Sequence, residues 1–159
     1  MTTRRQFLLA TGGVGLSVGA ASLRAQLAPN EAALRKAALE EAVRKATGGA
    51  QVRRGRVKLD LPPLIDNGNT VPVSVTVDSP MTPADHVRAI HVFTEKNPQP
   101  YVISAYLGPR AGRARIATRA RIADTGTVVA IAQMSDGSFW SDSMNVVVTL
   151  SACLEDGLI

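Results

Sequence analysis

The chain holds a single cysteine and only two histidines among its 159 residues, and each scarcity removes a class of chemistry. One thiol, Cys153, cannot close an internal disulfide or form a Cys-x-x-Cys redox pair, so an independent thiol oxidoreductase is disfavoured. His86 and His91, in "ADHVRAIHVF", are an odd number of residues apart. On a strand they face opposite sides and cannot share a metal ion. No histidine follows the cysteine, so the usual order of a blue-copper set is missing as well. No metal or cofactor site is expected. His91 shares a face with Val87, Ala89 and Phe93 and reads as a half-buried packing residue. There is no Gly-x-Ser-x-Gly elbow, and Ser135-Asp136-Gly137 is explained by a hairpin turn, so the chain is not expected to be a hydrolase. No basic block with interleaved aromatics points to nucleic acid. No run approaches the roughly 20 strongly apolar residues of a membrane span.

What is present begins with an address. Paired Arg4 and Arg5 precede Phe7-Leu8-Leu9 and a mildly apolar Gly/Ala-rich run. That is the layout of an export signal, and Arg-Arg followed by Phe-Leu is its twin-arginine form. Cleavage near Ala25 would remove three arginines and no acid, lowering the net charge from +5 to +2. The expected compartment is the periplasm, reached by a chain that is already folded. In that oxidising space a lone cysteine implies an intermolecular bond or a reactive thiol.

The remainder suits one domain. Residues 29–49 read as a helix, with Asn30 as N-cap and Gly48-Gly49 as the stop. Leu34, Ala38, Leu39, Ala42, Val43 and Ala46 form its apolar stripe. From Arg56 the period becomes two, as in "RVKLDL" and "VPVSVTV". Pro72 places the second of these at an edge or a bulge. Further strands are expected over 87–94, 101–107, 114–122, 128–134 and 145–150, separated by turn sequences such as "DNGN", "KNPQP" and "SDGS". Seven short strands without an interior helix describe an all-β, immunoglobulin-like β-sandwich preceded by one N-terminal helix. The expected division is export signal 1–25, helix and linker 26–55, sandwich 56–150 and C-terminal tail 151–159.

Two features carry candidate function. In "RARIATRARI", Arg113, Arg115, Arg119 and Arg121 project from one strand face. The row either solvates that face and resists edge pairing or docks an acidic protein partner. Cys153 lies beyond the last strand in "SACLEDGLI", a polar stretch that argues for an exposed tail. From Leu150 the thiol reaches roughly 10 Å at about 3.3 Å per extended residue.

Three stretches are recognisable: "IDNGNTVPVSVTVDSPMTPADHVRAIHVFTEKNPQPYV", "ATRARIADTGTVVAIAQMSDGSFW" and "VVVTLSAC". Together they closely resemble the SoxY family of periplasmic thiosulfate oxidation, over about Ile65 to Cys153. The resemblance implies an immunoglobulin-like domain paired with a smaller SoxZ-like subunit. It implies a non-enzymatic carrier whose C-terminal cysteine, here Cys153, holds sulfur intermediates covalently. The implied transient partners are the haem protein SoxXA, which joins thiosulfate oxidatively to the thiol, then SoxB, which releases sulfate, and in the complete system SoxCD. Where that family ends in Gly-Gly-Cys-Gly-Gly, this chain reads Ser151-Ala152-Cys153-Leu154-Glu155, with Asp156 beyond. Leu154 thickens the arm, and the two acids place like charges beside a thiolate. The alternative left open is a SoxY-derived binding module that uses Cys153 only for an intermolecular disulfide or not at all.

Overall fold

The computed structural model describes residues 19–150, with side chains from residue 31 onward. The Arg4-Arg5 pair and the tail bearing Cys153 lie outside the described residues. Among the described residues no helix is long and apolar enough to cross a membrane.

The chain divides into two units, Met1–Leu34 and Arg35–Ile159. In the first, the described residues form the opening part of helix α1, Gly19–Thr47. The helix therefore begins well before Asn30, which is an interior residue and not a cap. The preceding "GAASLRAQLA" is rich in alanine, leucine, arginine and glutamine, all good helix formers. At the other end the expectation holds. Gly48 and Gly49 adopt φ of 62° and 80°, and the Gly49 amide donates to the Arg44 carbonyl at 3.1 Å, closing the last turn.

The second unit is a two-sheet sandwich. Its strands are β1 (Val52–Arg54), β2 (Val57–Asp60), β3 (Leu64–Asn67), β4 (Val71–Val77), β5 (Val87–Thr94), β6 (Tyr101–Tyr106), β7 (Arg115–Ala120), β8 (Gly126–Met134) and β9 (Phe139–Leu150). The larger sheet runs β1-β9-β8-β5-β6, with β3 also paired to β9, and the smaller runs β2-β4-β7. Strand β9 is the spine. It carries β1 in parallel at its start and β3 in parallel at its end.

Alternation decides what faces inward. Val71, Val73, Val75 and Val77 are buried along β4, as are Val57 and Leu59 along β2. They meet Ile90 and Val92 of β5, Val128, Ala130 and Ala132 of β8, and Val146 and Val148 of β9 in one core. Strand β5 loses its alternation because both its faces are covered. Its other face presents Phe93, which joins Ile131 and Phe139 beneath Leu39, Ala42, Val43 and Ala46 of α1. Four of the six residues of the predicted helical stripe thus seal the outer side of the large sheet, whereas Leu34 and Ala38 are exposed.

Two details differ from the sequence reading. Pro72 sits on β4, the central strand of the small sheet, and not on an edge strand. It is tolerated because β2 pairs β4 only from Ser74 to Val77, so one side of the backbone at Pro72 is open. Strand β9 starts at Phe139 rather than near 145, running through the polar Ser141-Asp142-Ser143. The Asp142 carboxylate accepts from the Leu59 amide at 2.9 Å, so a polar residue inside this strand ties one sheet to the other.

Candidate functional site: the root of the C-terminal arm

The last described residues form a braced stem for whatever follows. Leu64, Ile65 and Asn67 of β3 stand in register with Val147, Val148 and Leu150 of β9. The Gly68 amide donates to the Leu150 carbonyl at 3.2 Å, and the Gly68 carbonyl accepts from the Ile122 amide at 2.8 Å. Thr149 Oγ1 donates to the Asp66 carbonyl at 3.2 Å. Thr125 Oγ1 accepts from the Val148 amide at 2.9 Å. Asn97 then staples two neighbouring loops together, donating to the Arg121 carbonyl at 2.9 Å and accepting from the Ala123 amide at 2.8 Å. Backbone order is thereby carried to Leu150, three residues before Cys153.

The surface around this stem is mixed. Leu64 and Val147, paired across β3 and β9, are both exposed, as is Leu150 at the strand end. Asp66 and Asp124 are exposed at the same end. Arg119 and Arg121 lie a short stretch of chain away, on the far side of Ile122, and line a groove of about 520 Å³ with Asn97, Tyr101, Ile103 and Thr118. Strands β6 and β7, which form its walls, are the outermost strands of their sheets.

The arginine row expected on one face is present: Arg115 and Arg119 of β7 and the flanking Arg113 and Arg121 are exposed, while Ile116, Thr118 and Ala120 turn partly inward. Its other end, with Arg56, Lys58, Arg113 and Arg115, borders a second groove that also holds Asp60 and Asp78. The two histidines fall in different places. His86 Nδ1 lies 3.1 Å from the Thr82 carbonyl in the loop before β5. His91 is buried on β5, its ring hydrogen-bonded with Ser104 and flanked by Phe93, Tyr101 and Tyr106. Burial holds its pKa below the ordinary value of 6.5.

The two most distinctive motifs meet at the opposite pole of the sandwich from Leu150. In "VDSPM", Met81 adopts a left-handed φ of 51° and is buried, its sulfur 3.5 Å from the Val87 amide. In "MSDGSFW", Ser135 Oγ accepts from the His86 amide at 3.1 Å and donates to the Ala84 carbonyl at 3.2 Å. Asp136 accepts from the Ser138 hydroxyl and amide at 2.7 and 2.8 Å, which depresses its pKa. Trp140 donates to Ser138 at 3.1 Å while the guanidinium groups of Arg53 and Arg56 sit 5.8 and 5.9 Å from its ring. These motifs knit loops; they do not assemble reactive groups.

A profile of the family described as sulfur oxidation protein SoxY matches residues 43–153. The chain belongs to the SoxY family. The match takes in the last turn of α1, the whole sandwich and the arm as far as Cys153. Among solved structures, the sulfur carrier protein SoxY from Chlorobium limicola f thiosulfatophilum is 26% identical with a TM-score of 0.61, covering 72% of this chain and 99% of that one. A superoxide reductase (neelaredoxin) from Ignicoccus hospitalis is 17% identical, with a TM-score of 0.53 and coverage of 59% and 80%. A putative superoxide reductase from Thermotoga maritima is 21% identical, with a TM-score of 0.51 and coverage of 60% and 86%. These two share the fold alone. No curated protein matches the chain.

Sequence reasoning finds the strand face of arginines but misses the parts that brace the stem. Thr125 and Asn97 lie in "ADTGT" and "KNPQP", which read simply as turns. Their side chains gain meaning only when the loops are brought together.

Proposed function

We propose that this SoxY-family chain is a periplasmic sulfur carrier, not an enzyme, that holds its cargo on the thiol of Cys153 and presents it to partner enzymes. The observation that supports this reading most is the braced end of β9. Hydrogen bonds run to Leu150, and Ser151, Ala152 and Cys153 then supply a tether of roughly 10 Å when extended. A short tether on a stiff stem suits a thiol that visits other proteins' active sites. Loading with thiosulfate joins the Cys153 sulfur to the sulfane sulfur of thiosulfate. It releases one proton and two electrons, the electrons passing to a haem partner such as SoxXA. Hydrolysis by a SoxB-type partner adds one water, releases sulfate and leaves a persulfide on Cys153. SoxCD, where available, would oxidise that sulfane sulfur further.

The exposed Leu64–Val147 pair beside the stem supports a standing partner, for which a smaller SoxZ-like β-sandwich subunit is the candidate. Such a partner would sit next to the arm without covering Cys153. The Arg4-Arg5 segment supports delivery to the periplasm by the twin-arginine route.

Intact-mass analysis of the protein from thiosulfate-grown cells tests the proposal. The expected result is a mass increment lost on reduction and absent from Cys153→Ser, with the partner retained one-to-one in both. An unmodified Cys153 during thiosulfate oxidation, or a partner lost with the thiol, would overturn it.

A further inference from the structure

Strand β7 ends the small sheet and leaves one side of its backbone open. The phase of its pairing with β4 shows which groups face out. The Val77 amide donates to the Ala114 carbonyl at 2.8 Å, so these two residues form a bonded pair. In an antiparallel ladder, bonded pairs recur at every second residue. Ile116, Thr118 and Ala120 therefore bond to Val75, Val73 and Val71, and the amides and carbonyls of Arg115, Ala117 and Arg119 point away from the sheet. Pro72 fits this phase, because it stands opposite Arg119, where no bond to β7 is asked of it. Among the described residues, the one hydrogen-bonding group near the outward set is the Thr118 hydroxyl, 3.5 Å from the Arg119 carbonyl.

Such an edge is a template for another strand, and its side chains restrict which one. Arg115 and Arg119 project to the outer face with the small Ala117 between them, and all three are exposed. Neither guanidinium has an ion-pair partner among the described residues. Lys58 adds a cation, in register with Arg115 through Thr76. The acid on that face, Asp60, is in register with Ala117 but two strands away, at about 10 Å. On the inner side, Ile116 and Ala120 are half-buried against the core. Val102 and Ile103 of β6 line a groove of about 520 Å³ with Thr118 and Ala120. A second copy of β7 laid antiparallel here would oppose Arg115 to Arg119, and like charges directly opposite are unfavourable.

We infer that the β7 edge takes an extended acidic segment of a partner protein as an added antiparallel strand. The pairing dictates a motif: acid, apolar, any residue, apolar, acid. The two acids lie opposite Arg119 and Arg115, and the middle residue lies opposite Ala117. The apolar pair turns inward over Thr118 and Ile116, toward Val102 and Ile103. Backbone bonds supply the attachment, and the arginines select its charge. Beyond Ala120 the chain reaches Ile122, which is joined through Gly68 to Leu150. A protein held at this edge thus stands beside the root of the C-terminal arm. The inference does not depend on Cys153 carrying sulfur.

The test titrates the full chain with an end-capped peptide, Thr-Glu-Val-Thr-Ile-Glu-Thr, and follows backbone amides by NMR at low salt. Saturable shifts and slowed hydrogen exchange are expected at Arg115, Ala117 and Arg119, and less at Ile116, Thr118 and Ala120. Arg115→Gln/Arg119→Gln is expected to weaken binding about tenfold, the scale of two opposite-charge cross-strand pairs. Lys36→Gln/Arg88→Gln, which removes the same charge elsewhere, is expected to leave it within about twofold. Ala117→Pro deletes an outward amide and no bond to β4, so it is expected to abolish binding. Because proline can also disturb the strand itself, methylated peptides make the same test from the other side. N-methylation of the middle threonine, whose amide faces β7, is expected to abolish binding, and N-methylation of the valine, whose amide faces away, is not. No saturable shift at β7 by low-millimolar peptide would overturn the inference. So would binding that is indifferent to the arginine changes or to the site of methylation, or shifts centred on β6 or on Leu64 and Val147.

Discussion

Thr125 and Val148 are bound twice: the Thr125 hydroxyl accepts from the Val148 amide at 2.9 Å and lies 3.4 Å from the Val148 carbonyl as a donor. A loop side chain thus extends the bonding of β9 just before β8 begins. Because Val148 is buried, its amide has no water to turn to when that hydroxyl is removed. Thr125→Val is therefore expected to cost about 1–2 kcal/mol, the range for leaving a buried donor unpaired. Chemical denaturation measures the cost, and hydrogen exchange at Val148 and Leu150 is expected to accelerate more than exchange in β4.

The hairpin in "MSDGSFW" makes a sharper test of backbone conformation. Gly137 has φ of 83°, and a Cβ placed there would meet nothing within 4 Å. Gly137→Ala is nevertheless expected to destabilise the fold by about 1–2 kcal/mol, since an L-residue resists the left-handed region. Denaturant midpoints for this change should match those of Gly137→Ser. A neutral effect would mean that the turn relaxes to another type.

The sandwich is legible in the sequence because β2 and β4 keep strict alternation and because each turn is marked by Gly, Pro, Asn or Asp. Strands β1 and β3 are not, since "VRR" and "LIDN" are too short to show a period and owe their pairing to β9. The early start of β9 is hidden by Ser141-Asp142-Ser143, whose polarity serves the contact with Leu59. The start of α1 is misleading because Asn30 has cap chemistry, yet good helix formers precede it. The candidate cysteine draws notice by its solitude and position. Its stem does not, because a threonine in a turn gives no sign of the amide it will meet.

Thr94 exposes a different weakness. It is buried at the end of β5, and its Oγ1 has no hydrogen-bond partner among the described residues. Its backbone is satisfied, with the amide donating to the Pro100 carbonyl at 2.8 Å. An unpaired hydroxyl in an apolar setting costs free energy that an isosteric methyl does not. Thr94→Val is expected to stabilise the protein by about 1 kcal/mol, read as a raised unfolding midpoint. A lowered midpoint would show that the hydroxyl is paired in solution.

His91 links the fold to pH. Its ring is buried on the outer face of the large sheet, with Ser104, Tyr101 and Tyr106 around it and Lys45 of α1 lining the same hollow. The Tyr101 hydroxyl donates to Ser104, which leaves the Ser104 proton for the His91 ring. Protonating the ring would reverse that bond and place a charge where water is scarce. Desolvation accordingly lowers the folded-state pKa below 6.5, the value expected for the unfolded chain. Between those two values the unfolded chain binds more protons, so stability rises with pH in that window. The contribution is complete above about pH 6.5 and is lost progressively as pH falls through the folded-state pKa. Melting temperatures taken from about pH 7.5 down to about pH 5 are expected to drop, and His91→Gln is expected to flatten that drop while keeping a neutral hydrogen-bonding side chain. If the His91→Gln profile instead follows the parent throughout, the acid sensitivity belongs to the carboxylates, and His91 is only a packing residue.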